Sequence, residues 1–237
     1  MIGLLGRHVL ILILAVLFTS LVHAQFGFKG GITLSGFQPH KGDRYIMGDD
    51  YRPFLGYEID WLQEDNAYPD LGFQLGIFYK KSFSRRSSLQ PELYIAQRGV
   101  NFIHRKQYNT AYYLNVTYVQ VPLLFRFDLT TTRKVKPGLI TGPYGSLKLR
   151  SNRKLEIWGD RDMDKVSGLS PWDVGWIFAF TTEWPAWSGH LIAEFRIDYG
   201  LHNTMFQPAR HTDIYVDAGK VRVMAVSIMT GYRIEGR

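Results

Sequence analysis

From residue 25 onward the apolar and polar positions alternate with a period of two, in runs separated by charged or turn-forming segments. Eight runs stand out: about 27–37, 71–81, 88–97, 117–127, 136–148, 173–184, 190–201 and 221–233. In the first, Phe28, Gly30, Ile32 and Leu34 oppose Lys29, Gly31, Thr33 and Ser35. In the second, Leu71, Phe73, Leu75, Ile77 and Tyr79 oppose Gly72, Gln74, Gly76, Phe78 and Lys80. Val119, Val121, Leu123, Phe125 and Phe127 oppose Gln120, Pro122, Leu124 and Arg126 in the fourth. Leu191, Ala193, Phe195, Ile197 and Tyr199 oppose Glu194, Arg196, Asp198 and Gly200 in the seventh. Such alternation predicts strands with two unlike faces.

The less apolar face carries full charges: Glu92, Arg126, Glu183, Glu194, Arg196, Asp198 and Arg233. A soluble sandwich would turn these residues to water. A membrane barrel reverses the faces, so apolar side chains meet lipid and charges meet one another in the lumen. The run lengths match the roughly 9–11 residues that a tilted strand needs to cross a bilayer. The gaps decide for the reversed arrangement. Segments 38–70, 98–116, 149–172 and 202–220 are long, while 82–87, 128–135 and 185–189 are short, in strict alternation along the chain. Long external loops and short periplasmic turns produce that asymmetry. The expected fold is therefore all-β: an eight-stranded antiparallel up-and-down transmembrane β-barrel. Eight strands enclose a bore that inward side chains fill, so a plugged lumen is expected, with the seven charges as its structural network. Gly72, Gly76, Gly142, Gly175 and Gly231 leave room there for long side chains.

Residues 1–24 break the pattern. Arg7 and His8 precede ten apolar residues from Val9 to Phe18, and Val22-His23-Ala24 offers a small-residue cleavage site. The apolar run is about half the ~20 residues of a spanning helix, so a cleaved signal peptide is expected, with the barrel over 25–237. The chain has no cysteine, which excludes a disulfide scaffold, a thiolate metal site, a thiol nucleophile and a lipobox anchor. An exported, cysteine-free barrel places the protein in the outer membrane of a Gram-negative cell envelope. Aromatic residues make up 15% of the chain, and Trp184, Trp187, Tyr79, Phe83, Phe125, Phe127, Tyr199 and Tyr232 fall toward strand ends, where ring side chains meet headgroups. Lys80, Lys81, Arg85, Arg86, Arg133 and Lys134 fall near short turns, where anionic headgroups or plain solvent would meet them.

Several ordered pieces resemble one family. They are Phe26-Gly27-Phe28-Lys29-Gly30-Gly31-Ile32-Thr33-Leu34-Ser35; Ser88-Leu89-Gln90-Pro91-Glu92-Leu93-Tyr94 with Gln97-Arg98-Gly99; Tyr118-Val119-Gln120-Val121-Pro122-Leu123-Leu124; Gly142-Pro143-Tyr144-Gly145; and Gly231-Tyr232-Arg233. Together they are similar to the PorT-like outer-membrane β-barrel domain common in Bacteroidetes-type bacteria. The resemblance implies an eight-stranded barrel and little about activity; the founding member is associated with type IX export. The family usually closes on an aromatic residue, whereas Ile234 stands here, followed by Glu235-Gly236-Arg237.

Candidate chemistry is sparse. Asp160, Asp162 and Asp164 have the spacing of a calcium loop, but Lys165 replaces its glycine and no Glu closes it, so a solvated charged loop is the better reading. Loop 38–70 carries Asp43, Asp49, Asp50, Glu58, Asp60, Glu64, Asp65 and Asp70 against Lys41, Arg44 and Arg52, a surface for divalent cations or a basic partner if not merely hydrophilic. His202, His211 and Asp213 share a loop and His104 lies on another, without a Gly-x-Ser-x-Gly elbow. No catalytic residue, metal site or cofactor is expected. The expected partners are outer-membrane lipid or lipopolysaccharide and envelope proteins, not nucleic acid, whose binding needs a concentrated basic face. A monomeric, non-enzymatic barrel that anchors, binds or assists secretion through four long extracellular loops is the leading reading. A barrel enzyme of acyltransferase or protease type and a soluble lipocalin-like carrier are the rivals.

Overall fold

The computed structural model describes residues 25–39, 67–104, 110–130, 134–157, 160–165, 170–202 and 221–235. The proposed signal segment, most of the first long loop and the loop holding His211 and Asp213 lie outside them. Among the described residues nine strands form: β1 (Gln25–Pro39), β2 (Ala67–Ser82), β3 (Ser87–His104), β4 (Thr110–Asp128), β5 (Lys136–Ile157), β6 (Asp160–Lys165), β7 (Trp172–Ala186), β8 (Gly189–Gly200) and β9 (Val221–Ile234). Eight of them close antiparallel on one another, because β1 pairs with β9 and β4 with β5, while β6 continues only the far end of β5. Closure leaves these eight strands no free edge along the barrel wall, so their backbone polar groups are paired within the sheet, as a hydrocarbon surround requires.

The apolar face points outward. Phe28, Ile32, Phe73, Leu75, Val121, Phe178, Phe195 and Ile228 are among the large apolar side chains left exposed on the outer wall. Lys29, Thr33, Gln74, Glu92, Arg126, Arg196 and Asp198 are buried inside. A lipocalin-like carrier would have the opposite arrangement, so that rival is overturned.

The walls rise unevenly. The hairpin of β3 and β4 stays in register up to the pair His104 and Thr110, and β4 pairs with β5 up to Thr110 and Ile157, past a one-residue register shift between Thr117 and Tyr118. At 22 residues, β5 is about twice the length a bilayer crossing needs. Segment 149–172, expected to be a loop, is therefore largely a hairpin: β6 pairs antiparallel with β5 from Asn152–Lys165 to Ile157–Asp160. The Asp160, Asp162 and Asp164 spacing falls on extended strand rather than on the tight turn of a calcium loop. Segment 98–116 shortens likewise. Above a membrane the ladder of hydrogen bonds persists while the need for an apolar face ends, so alternation fades before the strand does.

At the opposite end the connections are short. β7 and β8 meet at Trp187-Ser188, with Ala186 paired to Gly189. Trp187 takes φ 49°, the left-handed value that two-residue hairpin turns demand at their first central position. The residue is 89% exposed, and its ring lies 6.1 Å from that of Tyr232, which in turn lies 6.3 Å from that of Phe28. Phe26 with Tyr79 and Phe83 with Phe125 continue this aromatic collar.

Candidate functional site: the ionic lumen

Successive inward positions on each strand stack into three layers along the bore. At the short-turn end Glu183, on β7, accepts from Arg126 Nη1 of β4, from Arg233 Nη2 of β9 at 3.0 Å and from Lys80 Nζ of β2 at 3.4 Å. Arg126 Nε also donates to Asp128 at 2.6 Å, and Arg233 Nη1 donates to Gln25 Oε1. Lys80, read from the sequence as a turn residue meeting headgroups or solvent, is instead 5% exposed within this layer. It shares the phase of Gly76 and Phe78, which sets its side chain inward.

The middle layer is a closed quartet. Lys29 Nζ donates to Glu92 Oε1 at 2.7 Å and to Glu194 Oε2 at 2.6 Å. Arg196 answers from the other side, Nη2 to Glu92 Oε2 at 2.6 Å and Nε to Glu194 Oε1 at 2.7 Å. Gln90 Nε2 supplies a further donor to Glu92 at 2.6 Å. Two cations balance two anions, so the quartet is neutral and each carboxylate is held by charge-assisted bonds. The cations also lie over rings, Lys29 5.0 Å from the Phe78 centroid and Arg196 5.1 Å from that of Tyr94.

Toward the end of the long hairpins Arg98 Nη2 donates to Asp198 Oδ2 at 2.6 Å and to Gln120 Oε1 at 2.8 Å. Gln74 Nε2 reaches Ser227 Oγ at 3.1 Å, and Tyr144 donates to Asp173 Oδ2 at 3.0 Å. Arg98 lies 5.4 Å from the Tyr144 ring centroid and 5.9 Å from that of Tyr118.

All seven charges singled out from alternation lie in these layers, and each is at most 4% exposed. The layers also contain Lys29, Lys80, Arg98 and Asp173, which sequence reading left out of the network. Their signal was the same: Lys29, Lys80 and Asp173 lie opposite apolar neighbours on their strands, and Arg98 continues the phase of Glu92 beyond the end assigned to its strand. With Asp128 at the rim, six cations meet six anions.

One sector of the lumen is not ionic. Leu124, Ile140, Tyr144, Ile177 and Ala179 form an apolar cluster on the inner wall of β4, β5 and β7. Aromatic rings fill the space over glycines on neighbouring strands: a Cβ on Gly76 would meet the Tyr94 ring at 2.6 Å, and one on Gly175 the Tyr144 ring at 2.4 Å. Such pairs let a large inward ring lie flat across a barrel wall.

The alternative constellation at the outer rim is less concentrated. His202 stacks on Trp172 with centroids 3.7 Å apart. The side chain of His104, and all of His211 and Asp213, lie outside the described residues. Asp70 of the acidic first loop falls on β2, where Asn101 Nδ2 donates to it at 3.1 Å. Among the described residues no three His, Asp or Glu side chains gather as a metal set.

A family model described as an outer membrane protein beta-barrel domain matches residues 22–205. No curated protein sequence matches the chain. Among solved structures, similar chains include Neisserial surface protein A, 11% identical over 89% of this chain and 96% of that one at a TM-score of 0.41. The attachment invasion locus protein Ail of Yersinia pestis is 13% identical over 90% and 99% at 0.38, in a complex with the heparin analogue sucrose octasulfate. OprG of Pseudomonas aeruginosa is 12% identical over 90% and 96% at 0.46.

Proposed function

The chain belongs to the outer membrane protein beta-barrel domain family and resides in the outer membrane, and from that premise we infer that it is a non-enzymatic anchor whose raised hairpins hold an envelope partner. The ionic lumen is the observation that carries this reading. Three layers of paired side chains cross the bore, so a solute would have to break charge-assisted bonds in a desolvated interior to pass. Transport is thereby disfavoured, and work falls to the parts that project.

The projecting parts are unequal. β3, β4, β5 and β6 extend one wall beyond the membrane as a paired sheet, a rigid platform rather than a set of free loops. Rigid scaffolds hold binding residues at lower ordering cost than mobile loops. The pieces similar to PorT-like domains support a place in a secretion or surface-assembly complex, and the raised sheet is the surface such a complex would grip. Lipid and lipopolysaccharide surround the wall, and the barrel itself needs no second copy to close. Residues 1–24 serve in this account as the export signal.

Photocrosslinking from Asn115, on the raised part of β4, tests it. A discrete envelope protein trapped in native membranes, and lost when the hairpin 151–171 is replaced by a short turn in a barrel that still folds, is the expected result. Trapping of lipid alone, or the same protein trapped after that replacement, would overturn it.

A further inference from the structure

The outward cations of the short-turn end gather on one side of the barrel. Lys81 at the close of β2 is half-buried, while Arg85 and Arg86 in the turn to β3 and Lys134 in the turn from β4 to β5 are exposed, and among the described residues none of the four is paired with a carboxylate. Across the barrel, around the β7–β8 turn, Glu235 is the exposed ionisable side chain among the described residues. The two basic turns are neighbours tied to the sheet. Asp128 N–H donates to the Arg86 carbonyl at 2.7 Å, and Leu129 N–H to the Pro137 carbonyl at 2.9 Å. The first turn is also fixed within itself. Phe83 N–H donates to the Ser87 carbonyl at 3.0 Å, and Ser84 Oγ accepts from the Arg86 and Ser87 N–H groups at 3.2 and 3.0 Å.

This turn leans onto the outer wall. The Phe83 ring stacks on that of Phe125 of β4, with centroids 6.5 Å and planes 21° apart. Phe127, Leu129 and Val135 are exposed as well at this end of β4 and the start of β5. A turn that only met water would gain nothing by laying an aromatic ring on a lipid-facing wall. Here unpaired cations stand next to side chains that face hydrocarbon, so the anion that fits them is one that carries acyl chains. We propose that the β2–β3 and β4–β5 turns form a binding site for an anionic phospholipid of the periplasmic leaflet. Its phosphodiester lies among Lys81, Arg85, Arg86 and Lys134, where guanidinium and ammonium groups make charge-assisted bonds to phosphate oxygens. Its acyl chains run along the Phe125 and Leu129 side of the wall. The inference rests on placing the short turns in the periplasm, and not on the partner assigned to the raised hairpins.

Native mass spectrometry of the folded, detergent-solubilised protein tests the inference, with phosphatidylglycerol and zwitterionic phosphatidylcholine as probes. The parent should retain phosphatidylglycerol in preference. Each cation near an anionic headgroup is worth roughly a fivefold preference, so Arg85→Gln with Arg86→Gln should weaken that retention about 30-fold. Arg150→Gln with Arg222→Gln removes the same charge at the other end of the barrel and should leave retention unchanged. Both variants spare the lumen and should keep the heat-modifiable band. Equal retention of the two lipids, an equal loss in the two variants, or displacement of phosphatidylglycerol by an equal concentration of inorganic phosphate would overturn the inference. In native membranes a photocrosslinker at the exposed Ser82 should trap phospholipid. A protein trapped there would give the turns to a periplasmic partner, and lipopolysaccharide trapped there would put them in the outer leaflet. Either result overturns the site, the second together with the orientation of the barrel.

Discussion

Replacing Lys29 with methionine probes the middle layer most cleanly, because the quartet is fully buried and its partners are few. Methionine keeps most of the volume and removes the charge. Glu92 and Glu194 then share Arg196 alone, and the layer becomes an uncompensated anion. Each lost contact, at 2.6 and 2.7 Å, represents about 6 kcal/mol of gross attraction at an effective dielectric constant of about 20. Freeing the ammonium from its desolvated site offsets much of this, and removal of one partner of a buried pair costs about 3–5 kcal/mol net. Adding Glu194→Gln restores neutrality with Glu92 and Arg196 still paired. The double variant should therefore recover most of the loss, since neutral replacements of buried pairs are often close to cost-free. Stability is read from urea-driven loss of the compact, heat-modifiable band after reconstitution into vesicles, for parent, singles and double in one cycle. A Lys29→Met protein as stable as the parent, or a double variant whose loss equals the sum of the two singles, would refute the account of a coupled layer.

Other outcomes follow from the same geometry. Phe178→Arg, which sets a guanidinium against acyl chains, should destabilise the barrel by about 2–4 kcal/mol in the same urea assay; no change would place that wall elsewhere. Gly76→Ala drives a Cβ to within 2.1 Å of the Leu93 carbonyl oxygen and 2.6 Å of the Tyr94 ring, so a loss of about 1–3 kcal/mol in urea stability is expected from overpacking. In planar bilayers the reconstituted protein should show no stable large conductance, and nanosiemens-scale steps would contradict the blocked bore. With the other five tryptophans replaced by phenylalanine, Trp187 fluorescence should be quenched by lipids brominated near the headgroup and little by those brominated near the chain ends; the reverse order would remove it from the interface.

The barrel itself was legible because lipid imposes a strict rule on one face of each strand. Phe73, Leu75 and Ile77 cannot be exchanged with Gln74 and Gly76 without putting polar groups into hydrocarbon, so the period of two survives intact. The ionic lattice was legible for the same reason at Glu194, Arg196 and Asp198, three successive inward positions on β8. Legibility ended where the membrane ends. Along Arg150, Asn152 and Lys154 both faces meet polar surroundings, and β5 runs on through a stretch that looks like loop. Lys80 was misplaced because its nearness to a turn outweighed its phase, and Arg98 because its strand was ended at residue 97, whereas β3 runs on to His104. The apolar cluster of Leu124, Ile140 and Ile177 was hidden by the opposite effect. Period two shows which face a residue takes, and it does not show that one sector of a charged bore is packed like an ordinary core.

The direction in which each face points is the claim on which everything else stands. The absence of cysteine from the sequence allows single-site spin labels at Phe73, Val121, Phe178 and Phe195, and at Thr33 and Thr181, in lipid nanodiscs. Labels at the first four positions should be accessible to oxygen dissolved in the acyl chains and shielded from a water-soluble nickel chelate, while labels at Thr33 and Thr181 should be shielded from that oxygen. Phe73 and Phe178 labels that respond to the chelate, with Thr33 and Thr181 labels that respond to lipid-borne oxygen, would turn the barrel inside out and contradict the account.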